Sequence, residues 1–452
     1  MYLRQPAGYR VTEKDLAAMN AGTPEGAQAY VQRGRARMDR SQFKEAIDDF
    51  TKALGFDPKD EWALANRGMS RVWAADYAAA KMDLDAAQVI NPENPVLWRA
   101  RGLIAERNGR WAEAIDAYTQ SLAQEDQNGF ALGHRAIVQR AAGNSDAALA
   151  DAASALKVNP RWTDLYLLRA SLFRGRGDSA AGIKEAAALE TIMADDGYAQ
   201  VVAANIYHRF GRGDLALKAY DRAIAIEPAG YIYVNRGERR PKSDVGGRRA
   251  DFAEAVRIDP DEVAGWIAKA DLELKNGDPK LASGSYAQAI VKFPDNTQLL
   301  TGRGLAYDQL GDHAAAQKDF ANARAKASQP VMLNNICWKK ATFPAASASI
   351  LESALVDCDA ALKQSQDNPA YLDSRGLVFL RLGRLDDAIR DYDKVLSGSG
   401  DYATSLYGRA LALAQKGDAQ KAQLDRTAAI KLIDSIVDDF KDYGLPWPGE
   451  AH

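Results

Sequence analysis

Few residues of this chain are suited to catalysis or metal binding: its 452 residues include four histidines and two cysteines. His134, His208, His313 and His452 show neither the HExxH pattern nor a paired spacing typical of a zinc site. The chain contains no GxSxG elbow, phosphate-binding glycine loop or dinucleotide fingerprint. We therefore predict no catalytic residues, no metal site and no cofactor, and expect a protein that is not an enzyme.

The elements that would position functional side chains recur every 34 residues. Small residues share one register at Gly34, Gly68, Gly102, Ala136 and Ala170. An alanine lies twelve residues further on, and an apolar, usually aromatic, residue lies four residues after that alanine. These apolar residues are Phe50, Leu84, Tyr118, Tyr220, Phe252, Tyr286, Phe320 and Tyr392. Most repeats then end at a proline, which cannot continue a helix. The period predicts stacked helical hairpins.

These small, aromatic and proline positions resemble the tetratricopeptide repeat over residues 27 to 434. The resemblance implies an all-α fold, a right-handed superhelical solenoid of helix-turn-helix units. We predict twelve repeats, beginning near Ala27, Glu61, Pro95, Gly129, Thr163, Gly197, Gly230, Val263, Thr297, Asn335, Pro369 and Ala403. Repeats 1–9 span residues 27–334 and repeats 10–12 span residues 335–434. Residues 1–26 are predicted to be an extension with a short helix, and residues 435–452 a capping helix and tail.

Three repeats depart from the pattern. Repeat 5 has Gly182 where alanine is usual, and its second helix is indistinct. Repeat 7 carries Pro241 inside its expected first helix, so that helix should be broken or replaced by a loop. Extra residues near VMLN, before repeat 10, should displace the register and set the last three repeats slightly apart.

Charged residues also follow the period. A cation precedes the small position, and an aspartate lies beside the second-helix aromatic position. The cations are Arg33, Arg67, Arg101, Arg135, Arg169, Lys269, Arg303, Arg375 and Arg409; the aspartates are Asp49, Asp83, Asp151, Asp251, Asp319, Asp357, Asp391 and Asp425. We interpret them as a ladder of ion pairs between paired helices rather than as a binding site, because a binding function would not need the same pair in every repeat.

Cys337 and Cys358 are the only cysteines and occupy positions 3 and 24 of repeat 10. In an antiparallel hairpin whose positions 8 and 20 touch, positions with indices summing to about 28 face each other, so a disulfide is compatible with the geometry. Two buried thiols fit the sequence equally well. A disulfide would indicate an oxidising compartment such as a periplasm, and free thiols would indicate the cytoplasm.

The resemblance implies that first helices line a concave surface through their second, fifth, ninth and twelfth positions. The function expected of it is a scaffold that binds a peptide or a helix of a partner protein. Aromatic and arginine side chains are enriched at such sites. The candidate partner-binding residues are Trp62, Met69, Trp73, Arg99, Phe130, Arg140, Arg174, Tyr198, Asn205, His208 and Tyr231.

A second hypothesis is that the chain is the C-terminal recognition arm of a larger bacterial enzyme, peptidase-like or transglutaminase-like. The formal net charge of -3 argues against a nucleic-acid partner, which would need a cationic surface. The sequence shows no secretory signal and no apolar run long enough to insert directly into a membrane.

Overall fold

The computed structural model describes residues 26–398 and 402–449, and its regular secondary structure there is entirely helical. Twelve helix pairs and one terminal helix account for it. The first helices of the pairs are α1 Ala27–Asp39, α3 Glu61–Trp73, α5 Pro95–Arg107, α7 Gly129–Ala141, α9 Thr163–Gly175, α11 Gly197–Arg209, α13 Gly230–Arg239, α15 Val263–Lys275, α17 Thr297–Gln309, α19 Pro330–Ala341, α21 Pro369–Arg381 and α23 Ala403–Gln415.

The second helices are α2 Phe43–Phe56, α4 Tyr77–Ile90, α6 Trp111–Gln124, α8 Ser145–Val158, α10 Ser179–Ile192, α12 Gly213–Ile226, α14 Val245–Ile258, α16 Pro279–Lys292, α18 His313–Lys326, α20 Ala348–Gln364, α22 Leu385–Gly398 and α24 Ala419–Leu432, and α25 is Ile436–Asp442. This arrangement confirms the all-α repeat fold. The short helix predicted in the N-terminal extension lies outside the described residues.

The chain divides into two compact halves after Pro228. The first half holds repeats 1 to 6, and the second holds repeats 7 to 12 and α25. From the sequence we predicted a division after residue 334 instead, because the extra residues near repeat 10 were assigned to the segment before that repeat. They lie inside it: α19 begins at Pro330, six residues separate α19 from α20, and α20 has 17 residues.

Small residues in the first helix allow the bulky second-helix residue to enter the hairpin. A Cβ atom on Gly102 would lie 2.6 Å from Cε1 of Tyr118, and one on Gly34 would lie 2.8 Å from Cε1 of Phe50. Both distances are shorter than van der Waals contact, so the glycines fix how closely the helices approach. Tyr118 and Phe50 are consequently fully buried.

Two of the three irregular repeats are more regular than the sequence indicated. The second helix of repeat 5 is complete, and Gly182 leaves room for the ring of Phe210, whose Cζ would lie 2.0 Å from an added Cβ. The first helix of repeat 7 is shortened rather than broken. It ends at Arg239, two residues before Pro241, because proline cannot donate the backbone hydrogen bond that would continue it.

The predicted ion-pair ladder is confirmed in seven of the described repeats, whereas Arg101 and Lys269 have Ala117 and Ser285 sixteen residues further on instead of a carboxylate. Asp251 and Asp357 pair with cations at other spacings, Arg236 and Lys340. Arg33 donates from Nε and Nη2 to the two carboxylate oxygens of Asp49, at 2.9 and 2.6 Å. Arg67 and Asp83 form the same bidentate pair. Further pairs with the same spacing are Arg135–Asp151, Arg169–Glu185, Arg303–Asp319, Arg375–Asp391 and Arg409–Asp425. Each pair links the first helix of a repeat to its second helix.

In repeat 10 the structure joins Cys337 on α19 to Cys358 on α20 by a disulfide, with Cα atoms 5.5 Å apart. The bond crosses the longest hairpin connection among the described repeats.

The C-terminal segment packs against the second half. Helix α25 buries Ile436 and Phe440. The ring of Tyr443 lies 5.8 Å from that of Trp338, and Trp447 lies 5.9 Å from Tyr407. These contacts cover apolar surface of the last repeats. None of the described helices is long and apolar enough to cross a membrane.

Candidate protein-binding surface

The candidate surface is formed by the exposed side chains of the first helices, here called the first-helix face. Within each half, most first helices contact the first helix of the next repeat, as α3 contacts α5 and α19 contacts α21. Second helices contact chiefly first helices. First helices are therefore the more closely spaced layer.

Six of the eleven predicted binding residues lie exposed on this face. Trp62 is 38% exposed and Tyr198 43% exposed, both at the second position of their helices. Arg140, Arg174 and His208 are exposed at the last turns of α7, α9 and α11. These five side chains belong to the first half. Tyr231, 48% exposed, begins α13 in the second half.

Two predicted residues are instead used in core packing. Met69 is only 5% exposed and belongs to the core between repeats 1 and 3. The amide oxygen of Asn205 accepts a hydrogen bond of 2.8 Å from the Tyr220 hydroxyl. Both residues occupy the ninth position of a first helix. Met69 therefore offers little side-chain surface to a ligand, and Asn205 remains partly exposed.

Trp73 and Phe130 form an aromatic cluster inside the first half. The Trp73 ring lies 5.8 Å from that of Phe43 and 6.5 Å from that of Phe130. The guanidinium of Arg107 lies 5.0 Å from the Trp73 ring centroid, and the rings of Phe130 and His134 are 4.2 Å apart. The protein itself therefore occupies much of both aromatic surfaces.

Arg99 is likewise committed to an internal contact. Its Nη1 donates to Oε2 of Glu125 at 2.5 Å, and Glu125 also accepts from Asn128. Burial lowers the pKa of Arg99, although the Glu125 carboxylate opposes this shift. The pair holds α5 against the connection before α7, so Arg99 has a structural role.

Sequence reasoning missed residues that shape this region. Phe43 and Arg107 enclose Trp73 from a second helix and from the end of α5. Neither occupies one of the four first-helix positions considered. Asp164, at the second position of α9, places a carboxyl group where other repeats carry an aromatic residue, and burial raises its pKa. The residue type at the second position of each first helix was the sequence feature that could have identified Asp164.

Repeat 7 has a cluster of basic residues around Pro241, namely Arg239, Arg240, Lys242, Arg248 and Arg249. Members of this basic loop form contacts within the second half. Arg240 donates to Asp251 at 2.7 Å and to Asp244 at 2.9 Å. Lys242 pairs with Asp442. An acidic partner would have to compete with these carboxylates. Among the described residues, no three His, Cys, Asp or Glu side chains are grouped to hold a metal ion.

Family models described as tetratricopeptide repeat match residues 27–60, 66–129, 267–330 and 374–433. A cellulose synthase operon protein C of Xanthomonas axonopodis pv. citri is 29% identical over 196 residues, which is 42% of this chain and 13% of that protein. The Hsc co-chaperone sgt12 of Aspergillus fumigatus is 28% identical over 118 residues, 26% of this chain and 34% of the relative. The chain thus spans about a third or less of these two relatives.

Similar solved structures include yeast Tom70, at 14% identity and a TM-score of 0.44, with 92% of this chain and 94% of Tom70 covered. Pseudomonas aeruginosa PilF is 15% identical with a TM-score of 0.40, over 47% of this chain and 97% of PilF. The family matches in both halves, together with the repeating helix pairs of the described residues, show that the chain contains tetratricopeptide repeats.

Proposed function

We propose that this chain is a non-enzymatic scaffold that binds a peptide or a helix of a partner protein on its first-helix face. The close spacing of the first helices supports this face as the inner, concave side of the stack, where repeat proteins present extended binding surfaces. A surface preformed by packing between neighbouring repeats binds without ordering much backbone.

The observation that carries the proposal is the set of exposed side chains on that face. Trp62 and Tyr198 remain substantially exposed although most large apolar residues of the same helices are buried. Arg140, Arg174 and His208 add exposed cationic or titratable groups in the same half. Exposed aromatic residues and arginines on one face match the composition of binding hot spots. A partner segment with apolar and acidic side chains suits this surface.

Site-specific photo-crosslinking tests the proposal. A photo-reactive phenylalanine analogue would replace Trp62 or Tyr198, and Val89, which is 86% exposed on the second helix α4, would serve as the control position. The expected result is a protein adduct in cells at Trp62 and Tyr198 but not at Val89. Equal adducts at all three positions would contradict binding on the first-helix face.

A second candidate is a recognition arm within a larger enzyme. The 13% coverage of the Xanthomonas relative supports it, because that relative carries similar repeats inside a much longer chain. Sequencing the gene with its flanking regions tests this candidate. A contiguous reading frame that encodes a catalytic domain would support it, and stop codons directly bordering the repeats would rule it out.

We further propose that the chain works in an oxidising compartment and does not bind nucleic acid. The Cys337–Cys358 disulfide supports the first statement, because disulfides persist chiefly outside reducing cytosol. The net charge of -3 supports the second. Salt-dependent retention of the intact chain on a polyanion column would contradict the absence of nucleic-acid binding.

A further inference from the structure

Arg101 is the arginine of the predicted ion-pair ladder that lacks a carboxylate partner sixteen residues further on. The arginines at this position of the other described repeats bind a carboxylate sixteen residues further on, as Arg67 binds Asp83 and Arg135 binds Asp151. In repeat 3 the residue sixteen positions after Arg101 is Ala117. Arg101 donates instead from Nη2 to Asp85 of the preceding repeat, at 2.9 Å. Alanine therefore occupies the position that supplies the carboxylate in those repeats.

Other rungs show that such an arginine holds two carboxylates at once. Arg375 binds Asp391 through Nε and Nη2 while its Nη1 donates to Asp359 of the preceding repeat at 2.8 Å. Arg409 binds Asp425 and Asp393 in the same way. Asp85 is the counterpart of the carboxylate from the preceding repeat. The guanidinium of Arg101 therefore has capacity for one more carboxylate.

Ala117, which occupies the position of the carboxylate in other repeats, borders a cavity. A cavity of about 830 Å³ lies between α4, α5 and α6, and both Arg101 and Ala117 line it. Leu84, Ile104 and Trp98 supply apolar surface, and the Arg101 guanidinium lies 5.5 Å from the Trp98 ring centroid. The volume falls in the range of sites that hold small ligands or side chains.

Charged residues at the rim pair mainly with each other. Lys81 binds Asp85 at 2.6 Å, and Arg110 binds Glu113 at 2.7 Å. Asp85 would keep Lys81 as a partner if Arg101 turned partly towards a ligand. Asp116, which is exposed, and Gln120 also line the cavity. Arg101 is the lining cation that lies against the apolar Trp98 and retains capacity for a second carboxylate.

We propose that this cavity binds a carboxylate attached to an apolar body. The carboxylate forms an ion pair with Arg101, and the apolar part of the ligand contacts Leu84, Ile104 and Trp98. The carboxylate comes from a free small acid or from the C-terminus of a peptide that ends in a large apolar residue. The cavity borders two second helices, so this site is separate from the first-helix face and does not depend on the scaffold function proposed above.

Two acids and their neutral counterparts test the site. The probes are 3-phenylpropionate with 3-phenylpropanol, and N-acetyl-glycyl-phenylalanine with its C-terminal amide, titrated into the full chain and followed by calorimetry and saturation-transfer NMR. Wild type is expected to bind at least one acid and to bind its neutral counterpart at least ten-fold more weakly. Binding of the peptide alone would identify a chain terminus as the source, and binding of both acids would show that a small acid suffices.

Three variants decide whether Arg101 and Ala117 are responsible. Ala117→Asp should supply the missing carboxylate, weaken acid binding at least ten-fold and raise the thermal midpoint, because it pairs with Arg101. Arg101→Gln should weaken binding similarly. Met82→Ala changes an exposed side chain of α4 outside the cavity lining and should bind like wild type. No detectable binding of either acid, equal binding of acid and neutral probes, or undiminished binding by folded Ala117→Asp would overturn the proposal.

Discussion

Lys340 donates a hydrogen bond from Nζ to Oδ2 of Asp357 at 2.6 Å, and neither side chain has any exposed surface. Nζ also donates to Ser353 at 2.9 Å and lies 4.2 Å from the Phe320 ring centroid. Arg324 donates to the other oxygen of Asp357 at 2.5 Å. Burial lowers the pKa of Lys340, and Asp357 opposes that shift. The second half thus depends on one carboxylate that is shared by two cations.

Asp357→Asn should lower the free energy of unfolding of the second half by about 3–5 kcal/mol, because it leaves a buried ammonium without its counter-charge. Urea unfolding followed by circular dichroism measures the loss. Glu254→Gln is the matched control, since its pair with Arg257 is exposed to solvent and should contribute little to the free energy of unfolding. Similar losses in both variants would show that burial does not determine the strength of this pair.

Gly102→Ala should destabilise the first half by about 1–3 kcal/mol, because the new methyl group would overlap the buried Tyr118 ring. Gly284→Ala is the control: it lies inside α16 with no atom within 4 Å of an added Cβ. That substitution should stabilise by up to about 1 kcal/mol through helix propensity. Thermal unfolding of both variants tests the opposite signs. Stabilisation by Gly102→Ala would contradict the close-approach argument.

Asp373 gives the second half a specific pH dependence. Burial raises its pKa to about 6, although hydrogen bonds from Ser405 and Thr404 favour the charged form. Because the folded pKa lies above the unfolded value, the cost of ionising Asp373 is absent below about pH 4, grows between about pH 4 and 6, and is constant above that. At neutral pH it amounts to about 3 kcal/mol, at 1.4 kcal/mol per pH unit.

Asp373→Asn should therefore raise the thermal midpoint at pH 7 and have little effect near pH 4. Its advantage over wild type should increase through the interval between those values, which differential scanning calorimetry can follow in steps of half a pH unit. Asp386→Asn, at an exposed ion pair with Lys416, is the control for general charge effects. An advantage that stays constant from pH 4 to 7 would show that Asp373 does not titrate with a raised pKa.

Reduction of the Cys337–Cys358 bond should lower the free energy of unfolding by about 3 kcal/mol, as expected for a bond that closes a loop with a sequence separation of 21 residues. The thermal midpoint with and without reductant measures this effect, and a Cys337→Ala, Cys358→Ala variant should be insensitive to reductant. Thiol titration of the denatured wild type, purified without reductant, should find no free thiol. Two free thiols would remove the support for an oxidising compartment.

Much of the fold was accessible from local pattern. The 34-residue period and the small residues sixteen positions before Phe50 and Tyr118 predicted the helix pairs. The arginines and aspartates that follow the same period predicted the ion pairs that join the two helices of a repeat. The period failed at repeat 10, where the proline at 330 starts α19 earlier than the aligned pattern indicated. An insertion shifts the repeat register of all later residues, but the pattern does not show at which residue the insertion occurs. The sequence therefore could not show that these residues lie inside the hairpin.

The candidate surface was predicted less well. Trp62 and Tyr198 are exposed, whereas Met69, Trp73 and Arg99 serve packing or internal ion pairing. A helical position number gives the direction of a side chain but not its neighbours. The Trp73–Phe130 contact joins repeats 2 and 4, which lie more than one period apart, so no single-repeat pattern contains it.

The sequence by itself determined the repeat, the all-α class and most of the ion pairs between paired helices, because these depend on contacts within one hairpin. Tertiary structure decided which first-helix side chains stay exposed, how the chain divides after Pro228, and that the position of Ala117 borders a cavity beside Arg101. Those features depend on how neighbouring repeats pack against each other. That packing is a property of side-chain volumes from several repeats, which the pattern of any one repeat does not record.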